Sequence, residues 1–156
     1  MTTIHHSAIC VRDVEESLRF WSQGLGFTVL MDERFDGDWP TLLHGPTTSL
    51  RSVFLGDPTS PDSGIVELVD LGAVDEGERE VDAPARTGFL LLSVMTDVEA
   101  ALDRLAGLGL GGTPRRVVVS GVSMAVVSDP DGVSVELIGT AAAGNLSRLS
   151  TGGSGP

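Results

Sequence analysis

The chain of 156 residues contains no lysine and no tyrosine, so all ten of its basic residues are arginines. The absence of lysine excludes lysine Schiff-base chemistry and the lysine of a phosphate-binding loop. A net charge of −12 also leaves little positive surface for nucleic acid or for an anionic membrane. The sequence therefore predicts a protein without nucleic-acid or membrane partners.

Cysteine is almost absent, since Cys10 is the single one in the sequence. One cysteine cannot form a disulfide within the chain, which favours a reducing compartment. The segment MTTIHHSAIC lacks the basic region and apolar run of a secretory signal. The uncharged stretch over 117–128 is too short to cross a bilayer. These features predict a cytoplasmic protein, and its length suits one domain with a sizeable core.

The first half of the chain has the pattern of a strand, a helix and three further strands. Residues 4–11 are apolar and β-branched, and Asp13 is placed to cap a helix that carries Glu16 in its first turn. Gly24 and Gly26 end that helix. The later strands are predicted over 27–35, 50–56 and 65–71, with one or two helical turns over 39–45.

The second half repeats this pattern after an acidic segment. Residues 72–86 carry five acidic residues and no apolar period, so they read as an exposed linker. Asp97 is a second helix cap, and the tail over 140–156 has the Ala, Gly and Ser composition of a disordered segment. The second set of strands is predicted over 88–95, 115–120, 123–128 and 133–138, with a DPDG turn at 129–132.

The two halves align with each other along the sequence. Asp13 and Val14 lie 84 residues before Asp97 and Val98, and the triplet VEL occurs at 66–68 and again at 135–137. A repeated unit that cannot bury its sheet alone indicates a duplication. The predicted fold class is α+β, with a first βαβββ module over residues 1–71 and a second over 87–139.

Three segments of the chain resemble the vicinal oxygen chelate superfamily, which includes glyoxalase I, bleomycin-resistance proteins and extradiol dioxygenases. They are HHSAICVRDVEESLRFWSQGLGF, GIVELVDLG and SDPDGVSVELIG, and the resemblance covers residues 4–138. It implies that each module curls its strands into half of a cup and carries metal ligands on its first and last strands. It also implies a homodimer, with the cup built within one chain or across the dimer.

The resemblance implies metal ligands at His6, Glu67 and Glu136. The matching first-strand position of the second module, counted back from the second helix cap, is Leu90, and leucine cannot bind a metal. Two carboxylates in one cavity repel each other, which favours a cation between them. The implied cofactor is a divalent ion, with Mn, Fe, Ni or Co better suited to these donors than Zn in a closed tetrahedral site.

Other residues are candidates for chemistry or for substrate contact. His44 either is an ordinary loop histidine or replaces the missing ligand or acts as a general acid or base. Alternation along the first strand predicts that His6 faces the cup and that His5 points the other way. The side chains predicted to line a substrate pocket are Trp39, Arg51, Phe54, Leu90 and Met124.

Two functional classes follow from the resemblance. In the first, the metal binds two neighbouring oxygens of a small organic substrate, and Glu67 or Glu136 acts as the base in a lyase, isomerase or oxygenase reaction. Natural-product metabolism is one setting that this class implies. In the second, the chain is a metal-free protein that sequesters a small molecule, as bleomycin-resistance proteins do. Leu90 favours the second class, and the retained His6 and glutamates favour the first.

Overall fold

A computed structural model describes residues 2–62, 64–74 and 84–140, so most of the predicted linker and tail lies outside the described residues. The helices are α1 (Val14–Leu18), α2 (Trp39–Leu43) and α3 (Val98–Gly107), and α1 continues as a π-helical segment over Arg19–Gly24. The strands are β1 (His6–Cys10), β2 (Thr28–Asp36), β3 (Ser49–Gly56), β4 (Ile65–Asp70), β5 (Leu92–Thr96), β6 (Gly111–Val119), β7 (Val122–Ser128) and β8 (Ser134–Gly139).

The strands form two four-stranded sheets with the same topology. The orders are β1-β4-β3-β2 and β5-β8-β7-β6. In each sheet the first and last strands of the module pair in parallel, because the helix after the first strand crosses over the sheet, and the other pairs are antiparallel. This arrangement confirms the predicted α+β fold of two tandem βαβββ modules.

The predicted helix caps are formed as the sequence indicates. The Asp13 carboxylate accepts hydrogen bonds from the backbone N–H groups of Glu15 and Glu16, and Asp97 accepts one from Ala100. These bonds satisfy amide groups that have no partner within the helix, so they define where each helix begins. The π-helical segment after α1 contains Phe20 and Trp21, which are both fully buried.

Each sheet has one face packed against helices and one face opposite to it. We call these the helix face and the open face. The helix face is apolar and buried, and its members include Val53, Leu55, Leu68, Ala125, Val127 and Leu137. Strand alternation and the pairing register place Phe54 and Glu67 on the open face of module one, and Met124 and Glu136 on that of module two.

The helices of the two modules pack against each other and join both helix faces in one core. A Cβ atom at Gly24 would lie 2.4 Å from Leu105 Cδ2, so a larger residue there would force the helices apart. Arg104 Nε donates to the Gly24 carbonyl at 2.8 Å. The turn between β7 and β8 also contacts module one, where Arg12 Nε lies 3.1 Å from Asp131. The two modules are therefore one cooperative unit of packing.

Asp129 begins that turn and is buried with only 5% of its surface exposed. Its Oδ1 accepts hydrogen bonds from the backbone N–H groups of Asp131 at 2.9 Å and Val133 at 2.7 Å. Burial raises the pKa of Asp129 to about 6, and these amide hydrogen bonds oppose the shift. The folded protein consequently favours the protonated carboxyl more strongly than the unfolded chain does.

This shift predicts a pH-dependent contribution to the free energy of unfolding. The contribution is fully present below the unfolded pKa of 3.8 and is lost as the pH rises through about 6. Between about pH 7.5 and about pH 4.5, we expect the wild type to gain roughly 2 kcal/mol relative to Asp129→Asn. Urea unfolding of both proteins at these two pH values measures the difference. An identical pH dependence in the two proteins would contradict the shift.

No helix in the described part of the chain is long and apolar enough to cross a membrane.

Candidate functional site

Glu67 and His6 form a close pair of reactive groups on the open face of module one. The parallel pairing of β1 and β4 sets Ala8 beside Glu67, so His6 lies two residues away on the same face. His6 Nε2 is 3.1 Å from Glu67 Oε2, and the Ser52 hydroxyl donates to Glu67 Oε1. The Glu67 side chain is 14% exposed and that of His6 is 37% exposed. The carboxylate is thus held at both oxygens and remains open to a ligand.

His5 extends this arrangement, which differs from the predicted alternation. Its Nδ1 lies 2.9 Å from His6 Nδ1, and its ring centroid lies 5.9 Å from that of Phe54. β1 begins at His6, so the alternation of a strand does not apply to the residue before it. The contacts are consistent with His5 Nδ1–H donating to His6 Nδ1 and His6 Nε2–H donating to Glu67.

Module two carries a different arrangement at the corresponding place. Glu136 accepts a hydrogen bond from the hydroxyl of Ser93, which lies directly beside it on β5. Ser93 thus occupies the place beside Glu136 that Ala8 occupies beside Glu67 in module one. The two glutamates therefore occupy equivalent strand positions but have different neighbours.

The structure corrects the predicted counterpart of His6. The strand predicted over 88–95 begins at Leu92, so Leu90 precedes β5. His6 pairs with Ile65, which lies two residues before the glutamate of module one. Leu92 pairs with Val135, so continuing the register by one residue pairs Leu91 with the residue two before the glutamate of module two. Leu91 is therefore the counterpart of His6. Counting back from the helix caps is misleading, because two residues separate β1 from its cap and none separates β5 from its cap. The position is a leucine in either case.

The donor groups in the described part of the chain do not fit a metal ion held by three side chains. The 3.1 Å separation of His6 Nε2 and Glu67 Oε2 matches two adjacent ligands at roughly 2.1 Å from one ion. Among residues 2–62, 64–74 and 84–140, however, no three His, Cys, Asp or Glu side chains are grouped closely enough to hold an ion. Glu136 is not brought into that pair, and Leu91 offers no donor.

Arg51 lies on the helix face rather than among the pocket residues predicted for it. Its guanidinium binds both carboxylate oxygens of Asp32, at 2.8 and 2.7 Å, and contacts Glu15 of α1 at 3.0 Å. The hydrogen bond from Arg51 holds the pKa of Asp32 below its ordinary value. Phe54 is three residues further along β3 and therefore points to the opposite face. Arg51 connects a strand to a helix and does not face the His6–Glu67 pair.

The other predicted residues are distributed over the molecule. Phe54 lies beside His6, with ring centroids 5.4 Å apart. Trp39 packs against the cluster of Leu50, Val69 and Leu71 and donates from Nε1 to the Phe35 carbonyl. Met124 is half-buried on the open face of module two, beside Ile138.

His44 and Leu90 lie away from the His6–Glu67 pair. His44 ends α2 in the left-handed conformation with φ of 53° and is exposed. Among the described residues it has no contact with either member of the pair. Leu90 is 59% exposed and lines a separate cavity of module two.

Sequence reasoning missed the two serines that hold the glutamates. Ser52 alternates with Phe54 along β3, so a period of two could have placed it on the open face. Ser93 is recognised only from the pairing of β5 with β8, because the strand predicted over 88–95 begins earlier than β5 does.

Comparison with known proteins identifies the family. The model of the Glyoxalase/Bleomycin resistance protein/Dioxygenase superfamily matches residues 3–137. The chain belongs to this superfamily. Among its relatives, the lactoylglutathione lyase-like protein terB of Aspergillus terreus is 36% identical in an alignment of 145 positions that covers 86% of this chain and 74% of that protein.

Two solved structures illustrate the range of this glyoxalase-like fold. The trypanothione-dependent glyoxalase I of Leishmania major aligns with a TM-score of 0.67 at 21% identity, over 96% of this chain and 95% of that one. TnmS3, an antibiotic-binding protein from Streptomyces, aligns with a TM-score of 0.55 at 23% identity, over 89% of this chain and 96% of that one. At these identities the likeness shows the fold alone.

The register correction predicts how a metal site could be completed in this superfamily member. We expect Leu91→His to tighten Mn, Ni or Co binding at least about tenfold, because it adds an imidazole donor at the counterpart of His6. Leu90→His is the matched control and should change the affinity less than about twofold. Calorimetric titration of each metal measures both variants. Equal affinities of the two variants, or a gain by Leu90→His, would contradict the assignment by register.

Proposed function

We propose that this chain is a small-molecule lyase or isomerase in which Glu67 transfers a proton at a carbon atom next to a carbonyl group. The observation that carries the proposal is the Glu67 carboxylate, held by His6 Nε2 at 3.1 Å and by the Ser52 hydroxyl on a partly open sheet face. A general base needs this kind of fixed orientation and access. The lactoylglutathione lyase-like relative supports the same class of reaction.

The proton transfer can be written with the groups of module one. Glu67 removes the proton from the carbon, and the electron pair of the C–H bond moves into a new C=C bond while the carbonyl oxygen becomes an enolate. In a substrate with a hydroxyl group on that carbon, the hydroxyl proton passes to the enolate oxygen. The first carbon then becomes the new carbonyl carbon, and the protonated Glu67 returns its proton to the former carbonyl carbon, which completes an isomerisation. In a lyase the same electron pair expels a leaving group instead.

The neighbours of Glu67 position it for this step. One carboxylate oxygen accepts a hydrogen bond from Ser52 and the other lies 3.1 Å from His6 Nε2, and each keeps a lone pair for the substrate proton. His5 and Phe54 limit the rotation of the His6 ring through the Nδ1 contact and the ring contact. The base is therefore oriented before the substrate binds, which is how enzymes lower the entropic cost of reaction.

The proposed proton transfer needs only groups that already lie in contact, Glu67 with His6 and Ser52. Activation of oxygen needs a metal or another cofactor, and the described side chains do not assemble the expected set of His6, Glu67 and Glu136. Bound Mn, Fe, Ni, Co or Zn stays a prediction of the resemblance. Metal analysis of the purified protein, before and after loading with these ions, tests it.

A metal-free binding protein is the second candidate function. The observation that favours it is the apolar open face of module two, where Met95, Val117 and Val119 are each at least half exposed. Such a surface suits an apolar ligand without any chemistry. The fold of the antibiotic-binding protein TnmS3 is compatible with this reading. A homodimer is expected for either function, and light scattering measures it.

Proton exchange distinguishes the two functions. The purified protein is incubated in D2O with the hemithioacetal of methylglyoxal and glutathione, and with hydroxyacetone as a simpler hydroxy ketone, and proton NMR follows the C–H groups next to the carbonyl. An enzyme of the proposed class is expected to isomerise a probe or to exchange its proton for deuterium. Binding shifts without exchange or product for either probe would favour the binding protein.

A further inference from the structure

A cavity of about 420 Å³ lies between module two and residues 84–86, which precede it, and none of its lining residues belongs to the His6–Glu67 site. Arg86 and Arg115 both line it, together with the apolar side chains of Phe89 and Leu90 and the hydroxyl-bearing Ser128 and Ser134. Its volume is in the range of small-molecule sites. The cavity thus combines two positive groups, apolar walls and hydroxyl groups.

Strand alternation directs Arg115 toward this cavity. Arg115 pairs with Val126 across β6 and β7, and both residues line the cavity. The adjacent Arg116 points to the helix face, where its Nη1 lies 2.9 Å from Glu99. Two consecutive arginines therefore have different roles, because successive side chains of a strand point to opposite faces.

The charge of the cavity contrasts with that of the whole chain. The net charge is −12, so a bound anion needs arginine donors to offset repulsion by the rest of the surface. A guanidinium group presents several N–H donors in a plane that matches a carboxylate. Arg86 and Arg115 also interact within the protein, and a group with five N–H donors can serve a ligand at the same time.

The apolar walls specify the rest of the ligand. Phe89 is 74% exposed and Leu90 is 59% exposed, although both are large apolar side chains at this cavity. A carbon skeleton placed against them would remove apolar surface from water, which is favourable. Inorganic phosphate would satisfy the arginines but would leave these side chains exposed.

We infer that this cavity binds a small organic carboxylate with an apolar carbon skeleton. The carboxylate is held by Arg86 and Arg115, and the skeleton lies against Phe89 and Leu90. The inference does not depend on catalysis by Glu67, because the cavity and the His6–Glu67 pair share no residue.

Calorimetric titration with benzoate tests the site, with benzyl alcohol and inorganic phosphate as probes that each lack one of the two features. We expect benzoate to bind the wild type at least about tenfold more tightly than either. Arg115→Gln should weaken benzoate binding at least about tenfold, because it removes one charged partner of the carboxylate. Arg116→Gln is the matched control and should stay within about twofold of the wild type.

Further variants separate this inference from folding effects and from the proposed function. Arg86→Gln should weaken benzoate binding as Arg115→Gln does, and circular dichroism checks that each variant is folded. Glu67→Gln should bind benzoate as the wild type does, even where it abolishes proton exchange. Benzyl alcohol binding as tightly as benzoate, no benzoate binding to the wild type, or equal losses in Arg115→Gln and Arg116→Gln would overturn the inference.

Discussion

Replacing Glu67 by glutamine is expected to lower kcat for proton exchange by roughly 10²–10⁴-fold, the usual contribution of a general base. The amide is nearly isosteric and its oxygen still accepts a hydrogen bond, so the packing of β1, β3 and β4 should be preserved. It has no basic oxygen, so the step that breaks the C–H bond is the one that slows. KM should change much less than kcat. Steady-state kinetics with the probe that the wild type turns over measures both constants.

Glu136→Gln is the matched control for this prediction. Glu136 occupies the equivalent strand position but is held by Ser93 and is not grouped with His6. We therefore expect its kcat to stay within about threefold of the wild type. A large loss in Glu136→Gln with little loss in Glu67→Gln would assign the base to module two and contradict the proposal.

Replacing Leu105 by alanine is expected to lower the free energy of unfolding by about 3 kcal/mol, within the range for a buried leucine. Leu105 is 1% exposed and packs where α3 meets Gly24 of module one and Gly111 of module two. The lost methyl groups leave a cavity between two helices, and the backbone at both glycines limits how far the site can collapse. Urea unfolding measures the change.

Tryptophan fluorescence gives this measurement a second use. Both tryptophans of the chain, Trp21 and Trp39, lie in module one, whereas Leu105 lies in module two. Because the two helix faces share one core, the fluorescence midpoint should fall as far as the midpoint from circular dichroism. Leu42→Ala, at a leucine that is 68% exposed, should change the free energy of unfolding by no more than about 0.5 kcal/mol with either probe. An unchanged fluorescence midpoint in Leu105→Ala would mean that the modules unfold separately.

Local patterns in the sequence were sufficient for the modules, and the family resemblance pointed to His6 and Glu67 in module one. Asp13 and Asp97 cap helices because their carboxylates accept neighbouring N–H groups, which depends on a few residues of chain. The VEL triplet occurs in both modules, so Glu67 and Glu136 are equivalent strand positions. Because the period of a strand is two, both side chains lie on the open face. His6 contacts Glu67 because the first and last strands of a module are parallel neighbours.

Only the tertiary structure decided the placement of groups whose neighbours come from other strands. Two residues separate β1 from Asp13 and none separates β5 from Asp97, so the register, and not the count from the cap, makes Leu91 the counterpart of His6. Arg51 turns to Asp32 and Glu15 because a position three residues from Phe54 points to the other face. Arg115 and Arg116 are indistinguishable in the sequence, and pairing with β7 directs one to a cavity and the other to Glu99. In each case the deciding contact is long-range, because strand pairing brings together side chains that no local spacing relates.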